Sequence, residues 1–369
     1  MGLVVLPQKF YTNMNRIADA LEATANNTAV VDFSGSPGSA RLYAGDTNAG
    51  FLGFVPSAEF ISGTALASAL GISAGTSVNA DTPWIKYIWK GKVCFTPLKP
   101  IRHSITWDAI YAAGAVYATG DEGTLPPMGR MGTGLSIDAT DNSINTTTQH
   151  FLGDKSEGVD YADTVGEVGD TLVLKGWSKS ANNKSVTIES ITDTKIVVSG
   201  ATLETESGNK LSKLYKSTNA VTQNKTVTIG DLTYAVRSFR GASNNPTDSY
   251  GDGDRDAIGP DNEWNAIILP LHEHAKLQNW IYPAYAGTVE DWGVYLTDKD
   301  LVTHYNYGNG SYTWCQDVQD LTSWRRVNRG YNGASVLNSY YSWNVGSSYG
   351  FRPVVERPPP ATLSHLPAP

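Results

Sequence analysis

Tyr349-Gly350-Phe351-Arg352-Pro353-Val354-Val355-Glu356 closes a run, beginning near Trp280, that is crowded with aromatics, glycines and turn residues and has almost no helical spacing. Working back from it, Arg326-Val327-Asn328-Arg329-Gly330, Tyr312-Thr313-Trp314-Cys315, Asp291-Trp292-Gly293-Val294-Tyr295 and Glu263-Trp264-Asn265 share that character, and most of the tryptophans lie beyond residue 260. Apolar and aromatic residues in short runs broken by Gly, Asn and Ser predict short strands and ordered loops pinned by rings.

The whole chain agrees with this ending. Of its 369 residues 40% are hydrophobic and only 17% charged, with 36 Gly and 19 Tyr. Such a composition suits a β-rich α+β protein, extracellular or on a particle surface, better than a helical cytosolic enzyme. The net charge of −8 argues against nucleic acid as a partner, because phosphate binding needs clustered Lys and Arg. The first residues lack the pattern of a signal peptide, and no run of about 18 apolar residues offers a membrane span. The expectation is a chain made in the cytoplasm and not secreted. Cys94 and Cys315 are too few for a disulfide scaffold or a zinc site; two free buried thiols are favoured over a single bridge.

In chain order, residues 1–50 open with a strand candidate, Leu3-Val4-Val5-Leu6, and then place Phe10, Met14, Ile17 and Leu21 at helical spacing. This N-terminal arm either packs on its own domain or anchors the chain to another subunit. Residues 51–150 change to short strands. Ser57 or Ser62 is placed to cap a short helix that Gly71 ends. Trp84-Ile85-Lys86-Tyr87-Ile88-Trp89 and Val93-Cys94-Phe95-Thr96 read as a hairpin turning at Lys90-Gly91. Thr106-Trp107-Asp108 opens a second short helix, ended by Gly114. Residues 151–227 form a distinct module with period-2 strands at 165–174, 185–191 and 195–200, and residues 228–356 resume the parent pattern after a hairpin turning at Gly230-Asp231. Residues 357–369 are a proline-rich extended tail that includes Pro358, Pro359 and Pro360.

An ending of the type Gly-Phe-Arg-Pro-Val after Arg-Val-x-Arg-Gly resembles the end of C-type-lectin-like domains, found in phage tail and tropism proteins and, more distantly, in sulfatase-modifying, formylglycine-generating enzymes. Gly53-Phe54-Val55, Leu70-Gly71-Ile72-Ser73-Ala74-Gly75-Thr76, Trp84-Ile85-Lys86-Tyr87, Arg102-His103-Ser104-Ile105-Thr106-Trp107-Asp108 and Gly114-Ala115-Val116-Tyr117 resemble segments of tailed-phage virion structural proteins in the same order. The resemblance implies a lectin-like domain split by an inserted small β-barrel module, and a protein that binds.

Three sets of residues stand out as site candidates. Asp252, Asp254, Asp256 and Glu263 occupy positions 1, 3, 5 and 12 of a calcium-loop window, making Ca2+ the one cofactor to consider. Ala257 in place of the turn Gly, and Pro260, favour the alternative of an acidic loop whose Asp261 or Asn262 caps a helix. His272-Glu273-His274 lacks the spacing of a helical zinc site. Tyr305, Tyr307, Tyr312, Trp314, Tyr340, Tyr341 and Trp343, interleaved with Asn and Ser, form either a recognition surface or the core of a domain short of aliphatics. With no paired active-site cysteines and no Gly-x-Ser-x-Gly elbow, no catalytic residue is expected. The reading is a virion structural protein, tail-associated and touching other virion proteins or a host-surface receptor. It would act as a homo-oligomer, a trimer among the orders it admits. A capsid-decoration or collar protein is the alternative, and a formylglycine-generating type of enzyme comes third.

Overall fold

The computed structural model describes residues 35–148, 150–153, 164–242, 262–268, 271, 310–318, 325–330 and 337–357. The arm candidates Phe10, Met14, Ile17 and Leu21, the loop residues Asp252, Asp254 and Asp256, Tyr305 and Tyr307, the 272–274 run, and Pro358, Pro359 and Pro360 lie outside these residues.

Strands run in chain order as β1 (Ala44–Gly45), β2 (Ala49–Val55), β3 (Thr76–Ser77), β4 (Trp84–Trp89), β5 (Lys92–Pro97) and β6 (Arg102–His103). They continue as β7 (Arg130–Met131), β8 (Leu135–Asp138), β9 (Ser143–Thr146), β10 (Thr171–Lys175), β11 (Ser185–Ile191), β12 (Lys195–Ser199), β13 (Glu206–Ser207) and β14 (Lys213–Lys216). The last are β15 (Thr226–Ile229), β16 (Leu232–Arg237), β17 (Tyr312–Val318), β18 (Arg325–Arg329), β19 (Leu337–Tyr341), β20 (Tyr349–Phe351) and β21 (Val354–Glu356). Two short helices, α1 (Gly63–Ala69) and α2 (Trp107–Ala112), join them, and residues 263–268 are helical. No helix among the described residues is long and apolar enough to cross a membrane. The fold is β-rich, built on three sheets.

The first sheet has the order β1-β2-β4-β5-β21-β16-β15. Its centre is the hairpin of β4 and β5, in register from Trp84↔Pro97 to Trp89↔Lys92. The turn holds Lys90 at φ 49° and Gly91 at φ 76°, the double left-handed geometry of a two-residue turn that matches strand twist. Every residue of β4 is buried, because the sheet is covered on both faces. Ile85, Tyr87, Trp89 and Cys94 pack with Phe239 and Trp264 on one face; Trp84, Val93 and Phe95 pack with Trp107, Tyr234 and Phe351 on the other. The C-terminal β21 lies between β5 and β16, with Val355 opposite both Phe95 and Val236. The last described strand is therefore an internal strand of the sheet whose edge is the first described strand.

The third sheet, β19-β18-β17-β20-β6-β3, interlocks the same distant segments: Gly350 pairs with His103, and Tyr312 pairs in parallel with Tyr349. α1 starts where Ser62 Oγ accepts the Ala65 N–H at 3.2 Å, and α2 where Thr106 Oγ1 accepts the Ala109 N–H at 3.0 Å. Gly71 and Gly114, at φ 71° and 75°, take the left-handed position just past each helix.

The second sheet corrects the expected module in two ways. Its order is β13-β8-β9-β12-β11-β10-β14-β7, so strands before residue 151 belong to it: Ile144 pairs with Ile196, and Arg130 with Leu214. Nor is it a closed barrel. The end strands β13 and β7 are two residues each and do not pair with one another. One face encloses a core of Leu135, Ile137, Ile144, Leu172, Leu174, Val186, Ile188, Ile196 and Leu214. Glu122 braces this sheet to the rest of the chain, accepting Lys175 Nζ at 2.6 Å and Tyr215 OH at 2.9 Å, with Lys213 Nζ at 3.5 Å. Burial opposes the Glu122 charge, yet these donors outweigh it and hold the carboxyl down at about 2.

Candidate functional site

The arginines of the terminal motifs turn inward. Arg326, on β18, lies 4.0 Å over the Trp107 ring and donates to the Leu125 and Pro126 carbonyls at 3.1 and 3.3 Å. Arg329 donates to Gly241 O at 3.0 Å and to the Asn265 side chain. Arg352 donates to Leu98 O at 2.7 Å and stands 5.6 Å from the Trp264 ring centre; burial lowers its pKa to about 9. Arg102, upstream, clamps the carbonyls of Ser73, Ala74 and Gly75 at 2.7–3.0 Å. Guanidinium forks are suited to several main-chain acceptors at once, and indole faces attract them.

A buried ionic node lies beside them. Arg237, on β16, grips Glu263 with two bonds of 2.7 and 2.9 Å and reaches Glu356 at 3.0 Å. Tyr87 OH donates to Glu263 at 2.9 Å, and Lys92 meets Glu356 at 2.5 Å. Burial disfavours the Arg237 charge, but Glu263 more than offsets that and raises the Arg237 pKa well above its ordinary value. Burial likewise works against the Glu356 charge, and Arg237 and Lys92 reverse it, leaving the carboxyl low.

Of the four calcium-ligand candidates only Glu263 lies among the described residues. It is fully buried, and its oxygens accept from Arg237 and from the Tyr87 phenol. Asn262 Oδ1 instead accepts the Asn265 N–H at 3.0 Å, which is the capped-helix arrangement. Among the described residues no group of three or more His, Cys, Asp or Glu is placed to hold a metal ion.

The aromatic set is divided. Trp314 is fully buried and donates its indole N–H to Ile105 O at 2.8 Å, so it is a core residue and not part of a recognition surface. Tyr312, at 5% exposure, and Tyr341, at 7%, are also buried. Tyr340 and Tyr341 are neighbours on a strand, so they emerge on opposite faces. On one face Tyr349 stacks on Tyr312 and Trp314 with centroids 5.7 and 5.1 Å away, and Tyr340 meets Tyr349 edge-on at 5.3 Å. The hydroxyls of Tyr312 and Tyr340 lie 3.3 Å apart and both accept from the Asn338 amide at 3.4 Å. On the other face the Arg325 guanidinium lies 4.4 Å from the Tyr341 ring centre, and Trp343 stacks on that ring at 4.8 Å. Tyr340, Trp343 and Tyr349 are half-buried, and Val345 beside them is 66% exposed. Sequence reasoning missed Arg325, Asn338 and Tyr349; their membership follows from pairing, which puts Arg325 opposite Tyr341.

Cys94 and Cys315 are free and buried. Burial pushes both thiols well above their usual pKa, which removes the thiolate that thiol chemistry needs.

No protein-family model matches the chain, and no curated protein matches it. Among solved structures it is similar to a phage phi92 endosialidase at 10% identity, with a TM-score of 0.17, over 70% of this chain and 35% of that one. This chain thus spans about a third of that protein's length, and a likeness of that TM-score carries no argument about fold or activity.

Proposed function

We propose that the chain is a structural subunit of a tailed-phage virion, associated with the tail, whose work is binding and not catalysis. The observation that carries this reading is how its ending is used. Arg326, Arg329 and Arg352 are consumed by carbonyls, a side-chain amide and indole faces inside the molecule, while Tyr340 and Tyr349 on one face and Trp343 on the other are only half-buried and Val345 is exposed. Half-exposed aromatics with amide-bonded hydroxyls give contact area at low entropy cost. The two protonated, buried thiols speak against a sulfatase-modifying type of chemistry.

In this reading the first and third sheets belong to a lectin-like domain, the second sheet is its insertion, and the aromatic end meets a host-surface receptor or a neighbouring virion protein. The segments 1–24 and 357–369 anchor the chain in the particle as a homo-oligomer. The test is phage carrying Trp343→Ala together with Tyr340→Ala. Particles should assemble with a normal copy number of the protein but adsorb to host cells at least tenfold more slowly, since a few aromatics carry most of an interface's energy. Unchanged adsorption would overturn the adhesive assignment, and loss of incorporation would move the surface to a contact within the virion.

A further inference from the structure

Two phenols of the third sheet meet by their hydroxyl edges although their strands do not pair. Tyr312 is on β17 and Tyr340 on β19, with β18 between them. Their oxygens lie 3.3 Å apart, close enough for one O–H to donate to the other, and their ring centres are 5.3 Å apart at a tilt of 60°. The Asn338 amide holds both oxygens, donating to each at 3.4 Å. The ring carbons next to each hydroxyl are thereby brought to the edges that approach. The neighbouring tyrosines are turned differently. Tyr349 meets Tyr312 face to face at 18° and Tyr340 edge to face at 72°, and its own hydroxyl accepts from Asn344 at 3.4 Å. Tyr341 emerges on the opposite face of β19. Tyr340 is half-buried and Tyr312 is buried, so one phenol of the pair is open to small solutes and the other touches it.

We infer that Tyr312 and Tyr340 are a site of oxidative coupling, at which a peroxide or persulfate acting one electron at a time joins the two rings by a carbon–carbon bond. A phenol gives up an electron readily only as its proton leaves, and the contact between the two hydroxyls is a proton path from the buried ring to the half-buried one and on to solvent. Each phenol loses one electron and its hydroxyl proton. The two unpaired electrons, shared between each oxygen and the ring carbons beside it, pair in a single bond between one such carbon of each ring. Those carbons pass their hydrogens to the oxygens, and two phenols are restored. Two electrons and two protons have left; hydrogen peroxide takes up both and becomes two waters, whereas persulfate takes the electrons and becomes two sulfates. Tyr349 does not compete, because a stacked ring and an edge-to-face ring bring no such pair of carbons into line. The new bond ties β17 to β19 over β18, and it closes a loop in the unfolded chain, which is one way a cross-link stabilises. It is independent of what the aromatic surface binds.

The experiment illuminates the dilute full chain with tris(bipyridine)ruthenium(II) and persulfate, then maps the products by proteolysis and mass spectrometry. The expected product is a peptide pair joining Tyr312 to Tyr340, lighter than the sum of its parts by two hydrogens. It should carry the fluorescence of a coupled tyrosine, and the oxidised chain should unfold at a higher temperature. Tyr312→Phe and Tyr340→Phe should each lose that pair, and Tyr341→Phe and Tyr349→Phe should keep it, with circular dichroism checking each fold. Coupling of Tyr349 to either ring in place of this pair overturns the inference. So does a yield that rises in proportion to protein concentration, since the bond then forms between chains, and so does an oxidised parent chain with no such pair. Where a variant does not fold, the peptides of the parent chain decide.

Discussion

Lys86 and Asp317 are ionisable side chains held with no access to solvent, and they tilt the pH dependence of stability in opposite directions. Lys86 points its Nζ at the Phe95 ring, 5.8 Å from the centroid, with no hydrogen-bond partner. Burial, helped by Arg357, lowers its pKa to about 8. The unfolded chain therefore binds the proton more tightly, and stability should rise as pH climbs from about 8 toward 10.5. Lys86→Met keeps the packing, removes the buried cation and should stabilise by on the order of 2 kcal/mol at pH 7; urea titrations at pH 7 and 9.5 check both statements. Asp317, on β17, accepts the Gly241 N–H at 2.5 Å with one oxygen and leaves the other unpartnered. Burial pushes its pKa up to about 7 against the pull of that N–H and of Arg240. Here the folded chain binds the proton more tightly, so this group's contribution is full below the unfolded value, near 4, and is lost as pH rises through about 7. Asp317→Asn should flatten the slope between those limits; a midpoint of unfolding with the same pH profile as the parent would refute the assignment. Neither group was legible in the sequence, because a lone Lys or Asp is read as solvated until a fold buries it.

At the scale of elements, local chemistry was legible and pairing was not. The turn at Lys90-Gly91, the Thr106 cap and the Gly71 and Gly114 stops each depend on residues within one turn of each other. The sequence offers Ser57 and Ser62 as rival caps. The structure separates them: Ser62 Oγ bonds the Ala65 N–H, whereas Ser57 begins a 3-10 turn with no side-chain cap. Ser62→Ala should cost about 1 kcal/mol, because an orphan N–H loses its acceptor, and Ser57→Ala should stay within about 0.5 kcal/mol. Denaturant midpoints of the two variants decide it, and equal losses would mean the cap is shared. β8 and β9 escaped notice because each is four residues long, too short for alternation to stand out. The aromatic residues do not separate into two faces in the sequence, because the face on which a ring emerges depends on strand limits that composition does not supply. The inward arginines were hidden by the ordinary preference of Arg for water; the repeated Arg beside Phe and Val was the available signal.

For the whole molecule, the first and third sheets are each made from both ends of the described chain, while the second sheet is drawn entirely from residues 130 to 216. Excision is therefore expected to be tolerated at its own limits and nowhere inside. Removing residues 155 to 220, as the sequence pattern suggested, would strip β10 to β14 from β8 and β9 and expose Leu135, Ile137 and Ile144, all buried in one core. The better cut follows the register: Arg130 is the direct partner of Leu214 and Met131 of Lys213, and paired residues sit about 5 Å apart. A short Gly/Ser linker in place of residues 131–213 spans that gap with little closure entropy. The shortened chain should keep a single cooperative melt, lowered because Glu122 loses Lys175 and Lys213 and Arg326 loses support for its hold on Leu125 and Pro126. The isolated segment 130–216 should fold alone, its core being its own. If the shortened chain melts without cooperativity while the segment still folds, the second sheet is a brace that the other two require and not an insertion they carry.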